Sequence, residues 1–216
     1  TSISSNPGHL LWCGLPCPEH AKLLAERFMK PDFFSGWGLR TLSSRNPAFN
    51  PLSYQLGSVW PFDTALAAAG LWRYGSREQA GILLRSILEA AMAFEEERLP
   101  ELFCGTDRAA GGPIPYEKAN SPQAWSSAVP LLAAQLFLGI LADAPRGRCF
   151  ISPCLPEWLT YLELRGLTIG QGKLDIRIVR QGNETLIDEL NAERIEVIRG
   201  TAEAPLWAEP LKLRQW

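Results

Sequence analysis

Residues 61 to 74, PFDTALAAAGLWRY, offer a helix no polar face. Ala65, Leu66, Ala67, Ala68, Ala69, Leu71 and Trp72 go all the way around it, and a helix that is apolar all round is buried. Any fold for this chain must therefore wrap other elements around this segment. Three more helices can be placed by periodicity. Pro18 to Met29 opens on a proline at its first position and puts Ala21, Leu24, Ala25 and Phe28 on one side. A helix from Ser76, with Gln79 set for a capping box, repeats Ala80, Leu83, Leu84, Ile87, Leu88 and Ala91. A fourth runs from Ser121-Pro122 to about Leu141 and is apolar almost throughout.

The helices thus alternate between half-exposed and buried. Layered helix hairpins, with inner and outer members, produce such an alternation. Four helices do not close a ring of that kind, so the chain reads as part of a larger domain. From Ser121 to Ala142 no residue is charged, a length that approaches a bilayer span. Pro122, Gln123, Ser126, Ser127, Pro130 and Gln135 interrupt it, and a buried helix is the better reading.

After Pro145 the texture changes. Leu174, Ile176 and Ile178 alternate with Asp175, Arg177 and Val179, and glycines punctuate the stretch, which reads as short antiparallel strands. RIEVIRG is a further strand, and the last residues read as edge strand or tail. The expected organisation is therefore a helical part over residues 1–145 and a β-rich segment over 146–216.

Each buried helix follows a long irregular segment, residues 31–57 and 98–120. Helix connections are ordinarily ~2–8 residues, and longer ones are usually functional. The first holds Trp37, Arg40 and Tyr54 and leads into Trp60. Aromatic rings cover the apolar faces of sugars, while Arg, Asn, Gln and Asp bond their hydroxyls. The same composition also fits a loop whose tryptophans plug the core. Asp63 stands near the start of the buried helix, where the helix dipole stabilises a carboxylate. The alternative is that it points into a cavity and binds a hydroxyl. Glu101, in RLPELFCG, occupies a stiff apolar turn at the start of the second long segment. A carboxyl buried there suits acid–base work, and glycoside hydrolysis needs two. Asp107 and Glu117 lie nearby.

Other chemistries find less support. A net charge of −2 leaves no electrostatic footprint for nucleic acid or an anionic membrane. His9, Cys13, Cys17 and His20 form a four-ligand set on paper, but their spacing matches no usual zinc module, and packing of small thiols is the expected role. No metal and no cofactor are implied. Two histidines and no G-x-S-x-G leave no basis for a serine hydrolase. Five cysteines without a dense framework point to a reducing compartment, hence the cytoplasm.

SGWGLRTLSS, NPLSYQLGSVWPFD, LPELFCG and SPQAWSSAVPLL, with SNPGHLLWCGLP before them, together resemble the C-terminal part of the glycogen debranching enzyme family in its bacterial amylo-α-1,6-glucosidase form. The resemblance spans residues 5 to 165. It implies a mostly α fold, part of an (α/α)6 toroid, with the small β-rich segment trailing it. It implies Glu101 as the base that activates water in an inverting hydrolysis of α-1,6 branches in glycogen-like glucans. It implies substrate contacts from Trp37, Arg40, Tyr54, Trp60, Asp63, Gln123 and Trp125. The acid of that family lies upstream of anything present here, so the partner of this chain is the upstream half of the same domain, and these residues alone are expected to be inactive. Phe62 stands where that family often has His. Trehalase-like and rhamnosidase-like sugar hydrolases, and a carbohydrate-binding remnant without catalysis, are the competing readings.

Overall fold

The computed structural model describes residues 3–200. They form two compact units, which divide between Leu132 and Ala133. The change in sequence texture lies later, at Pro145.

The first unit is built around the segment that has no polar face. It is helix α3, Pro61–Arg73, in which Ala65, Ala67, Ala68, Ala69 and Leu71 are all buried. On one side it packs against α4, Arg77–Ala91, whose Leu83, Leu84 and Ile87 are fully enclosed. On the other it packs against α1, Pro7–Cys13, a helix that the periodicity did not reveal because it is only two turns long. The α1–α3 approach is close because glycine faces the neighbour on each side. A Cβ on Gly8 would lie 2.6 Å from the Ala67 Cβ, and one on Gly70 would lie 2.5 Å from the Leu11 Cβ. Helix α2, Pro18–Phe28, has the expected proline at its start and buries Ala21, Ala25 and Phe28.

The two long segments are not loose. Asp32 accepts from Arg27 and from Ser43, which pins the start of the first segment. The Arg27 guanidinium holds the Asp32 carboxyl down at about 2. Further on, isolated β-bridges join Arg40 to Val59, Val59 to Phe103 and Phe103 to Pro115. Val59 and Phe103 exchange both backbone hydrogen bonds, at 2.9 and 3.0 Å. Both side chains are fully buried. The segment before α3 and the segment before α5 are therefore stitched into one piece.

The fourth helix departs from expectation. It is broken into α5, Ala124–Ser127, and α6, Val129–Leu138. It ends before Gly139, which turns with φ 61°, and Leu141 already lies in a strand. Nor is it buried all round, since Leu131 is 71% exposed. The expected capping box at the start of α4 is likewise absent, as the Ser76 side chain makes no cap bond.

The second unit carries two three-stranded sheets. In one, β1 (Leu141–Asp143) pairs antiparallel with β2 (Arg148–Ile151), and β2 pairs in parallel with β6 (Glu196–Arg199), the strand expected in RIEVIRG. The other is a meander of β3 (Tyr161–Ile169), β4 (Gly172–Gln181) and β5 (Glu184–Glu193). In β4 the expected alternation holds, with Leu174, Ile176 and Ile178 buried. Gly170 and Gly182, at φ 61° and 60°, each open a two-residue hairpin loop, as such turns require. The expected edge strand or tail at the C-terminus lies outside the described residues.

The expectation of a mostly α chain, part of an (α/α)6 toroid, is overturned. Helices and two sheets share the described residues, and the class is mixed α and β. The apolar run that read as a second buried inner helix is instead a short helix pair that gives way to strands. Among the described residues, no helix is long and apolar enough to cross a membrane.

Candidate active site

Glu101 lies beyond the short 3-10 helix Glu95–Glu97 that follows α4 and is only 7% exposed. The Phe103–Val59 bridge brings its segment against the first loop, and the Glu101 N–H donates to the Asn120 carbonyl at 2.8 Å. Both carboxylate oxygens are engaged. Oε1 accepts from the Tyr54 hydroxyl at 2.6 Å. Oε2 accepts from Asn120 Nδ2 at 3.2 Å and from its backbone N–H at 3.4 Å. Donors on both oxygens fix the plane of the carboxylate, which is what a group that must aim at one water needs. The hydrogen bond to Glu101 raises the Tyr54 phenol above its ordinary value of 10, so the phenol remains a donor at neutral pH.

A run of rings leads away from this carboxylate. Tyr54 contacts Tyr116 at 5.9 Å and meets Trp60 edge-on at 5.0 Å. Trp60 leans on Trp125 at 6.2 Å, and Trp125 stacks on Phe62 at 4.8 Å with planes 9° apart. Trp125 is 44% exposed, so the run presents aromatic surface to solvent instead of closing over itself. The Trp60 indole is oriented by donation to the Tyr54 carbonyl at 3.2 Å and to Ser58 Oγ at 3.1 Å. Phe62 does not leave a gap where a histidine might stand. Its ring is the stacking partner of Trp125.

A cleft of about 340 Å³ opens beside Trp60, with Phe62 and Asp63 in its wall. Asp63 is 8% exposed, and its Oδ1 accepts from His9 Nε2 on α1 at 2.6 Å. Hydrogen bonding to Asp63 raises the His9 imidazole above its ordinary 6.5. The sign follows from linkage: a raised histidine contributes stability that is fully present below pH about 6.5 and lost as pH rises through the folded-state value. The midpoint of thermal unfolding should therefore decline across that window, and His9→Gln should flatten the decline. An unchanged slope in the variant would show that the pair does not couple to folding. The effect is small, since His9 is half-buried.

The other residues proposed from sequence engage protein partners. Arg40 is buried, with Nε donating to the Gly105 carbonyl at 2.8 Å, one Nη to the Pro31 carbonyl at 2.7 Å, and the other reaching Asp107 at 3.4 Å. It braces the two loops. Trp37 is buried beneath the Arg108 guanidinium, 4.2 Å from its ring, and donates to the Gly111 carbonyl. Gln123 uses its amide oxygen on the Ala124 N–H at the start of α5. Asp107 and Glu117 are exposed. Cys13 and Cys17 are also exposed, contrary to a packing role, and His9 is engaged with Asp63. Sequence reasoning missed Asn120 and the partnership of His9 with Asp63. Nothing in a lone Asn before Ser-Pro signals a carboxylate partner, and His9 lies 54 residues from Asp63.

The glycoside hydrolase domain described as mannosylglycerate hydrolase MGH1-like matches residues 9–126. This is more than half of the chain. The chain belongs to the MGH1-like glycoside hydrolase family. The matched span runs from His9 to just past Trp125 and so contains Glu101, its two partners, the aromatic run and Asp63. The α-1,6-glucan debranching family that the motifs resemble is not the one matched. A GH63 mannosylglycerate hydrolase from Thermus thermophilus, solved in complex with glucose, is 25% identical, with a TM-score of 0.46 over 62% of this chain and 31% of that one. An uncharacterized conserved protein from the same organism is 24% identical, with a TM-score of 0.48 over 62% and 30%. This MGH1-like chain thus spans about a third of the length of those structures. No curated protein matches.

Proposed function

We propose that Glu101 is the base of an inverting glycosidase and that the run Tyr54–Trp60–Trp125–Phe62 is the wall against which the sugar stacks. The observation that carries this reading is the Glu101 carboxylate, enclosed yet donor-bonded on both oxygens, at the end of an exposed aromatic track. The family match supports a glycosidase. In the proposed reaction Glu101 takes a proton from a water as that water attacks the anomeric carbon. A second carboxyl protonates the leaving oxygen from the opposite side. That acid is proposed to come from a part of the catalytic domain that these residues do not include, and the isolated chain is accordingly inactive. Tyr54 and Asn120 hold the base in line.

The substrate is proposed to be a small glycoside and not a polymer, on the strength of the family description. The family description names mannosylglycerate, and the motif resemblance implies α-1,6-branched glucan. One assay separates these. The complete protein is given mannosylglycerate, a short α-1,6-linked glucoside and a branched limit dextrin, with sugar release and the anomer first formed followed by NMR. The expected result is faster release from a small glycoside than from the dextrin, with inversion at the anomeric carbon. Release with retention, or preference for the polymer, would count against the proposal.

A further inference from the structure

Asn120 reaches Glu101 at the end of an excursion of the chain. The backbone leaves the carboxylate at Glu101, runs out through Gly105 and Asp107, and returns to Asn120. Few bonds join the two limbs. The Glu101 N–H donates to the Asn120 carbonyl, the Cys104 N–H donates to the Ile114 carbonyl at 2.9 Å, and Phe103 bridges to Pro115. The returning limb has little burial of its own, since none of residues 114–120 is buried. A limb of this kind opens at low cost, and its open form takes the Asn120 donors away from Glu101.

The far end of the excursion is held. Arg108 lies over the Trp37 ring, 4.2 Å from its centroid, and pairs with Glu89 on α4. The Arg108 N–H donates to the Ser35 carbonyl at 2.8 Å, and Trp37 Nε1 donates to the Gly111 carbonyl at 3.2 Å. The tip is therefore tied at both its ends. Gly36 permits the approach, because a Cβ on it would lie 2.6 Å from the Arg108 Cβ. An exposed ion pair alone contributes little. Here the same guanidinium also covers the face of a buried indole, and Arg85, at 2.6 Å from Glu89, fixes the acceptor.

We propose that Arg108 is a positioning residue for Glu101: clasped between Trp37 and Glu89, it keeps the excursion closed and so keeps the Asn120 amide on the carboxylate. This role rests on the reading of Glu101 as base and needs no contact between Arg108 and a sugar. Loss of the clasp leaves Tyr54 on Oε1, so the base is aimed less well but is not removed.

The test is Arg108→Ala in the complete protein, followed by hydrogen exchange and steady-state kinetics. Amide exchange at Glu101 and Cys104 should accelerate about fivefold or more, with exchange in α3 unchanged. The kcat should fall about three- to tenfold with KM nearly constant. Glu89→Gln should act in the same direction to a smaller extent, and it decides the matter should Arg108→Ala fail to fold. In an Asn120→Ala background, Arg108→Ala should change kcat by less than about twofold, because the clasp acts through the amide that it holds. Losses that multiply in the double variant would mean a general structural role and would overturn the proposal. So would parental exchange and kcat in the single variants. If Glu101→Gln kept parental kcat, the base reading would fall and Arg108 would position no catalyst, whatever the exchange showed. If Glu101→Gln lost kcat while Arg108→Ala did not, the clasp alone would fall.

Discussion

Glu101→Gln in the complete protein should lower kcat by about 10²–10⁴-fold, with KM nearly unchanged. Glutamine retains the size of the side chain and can still accept from Tyr54 or Asn120, so the turn that carries it need not move. What it loses is the ability to take a proton from water. A loss confined to kcat is the signature of a group that acts only as the transition state forms. Tyr54→Phe provides the graded counterpart. It leaves the base in place but frees Oε1 from its 2.6 Å donor, so the carboxylate is aimed by Asn120 alone. One hydrogen bond to a charged group is worth about 1.5–3 kcal/mol, which corresponds to a fall in kcat of about tenfold or more. Steady-state kinetics on the better small substrate reads both. Retention of parental kcat by Glu101→Gln would place the base elsewhere.

Gly105→Ala should be the most damaging single methyl in the first unit. A Cβ there would lie 1.6 Å from the Gly57 carbonyl oxygen and 2.7 Å from its carbon. The obstacle is backbone, so no side chain can rotate out of the way. Gly105 also donates to the Pro51 carbonyl at 2.9 Å and accepts from the buried Arg40. To admit the methyl, the two loops must separate, which strains the neighbouring Val59–Phe103 pair. We expect destabilisation of about 3 kcal/mol or more, a fall in Tm of roughly 6–12 °C. A variant within about 2 °C of the parent would mean that the loops are not packed this closely.

Much of what positions the site was legible before any coordinates. The apolar girdle of residues 61–74 announced the central helix, and Pro18 marked the start of α2. The alternation of Leu174, Ile176 and Ile178 announced the central strand of the meander. Glu101 stood out because an acid between Pro100 and Leu102 has little local reason to exist. The failures have physical causes too. Helix α1 is too short to show a period. The run from Ser121 to Leu141 has composition enough for one long helix, but it breaks at Ala128 and is stopped by Gly139. Arg40 and Trp37 also donate to backbone carbonyls of the neighbouring loops, a structural role that their sequence context does not reveal. The toroid was what the family resemblance implied, in line with the alternation of half-exposed and buried helices, and the strands of the second unit exclude it as the description of these residues.

The exchange of hydrogen bonds between Val59 and Phe103 has a thermodynamic consequence. It makes the aromatic wall and the turn that bears Glu101 a single cooperative unit for local opening. A sugar that touches only Trp60 still binds the closed form of the whole unit and, by mass action, deepens its stability at Glu101 as well. If Trp60 holds a sugar as proposed, its occupancy should tighten the turn that bears Glu101 without any ligand contact to that turn.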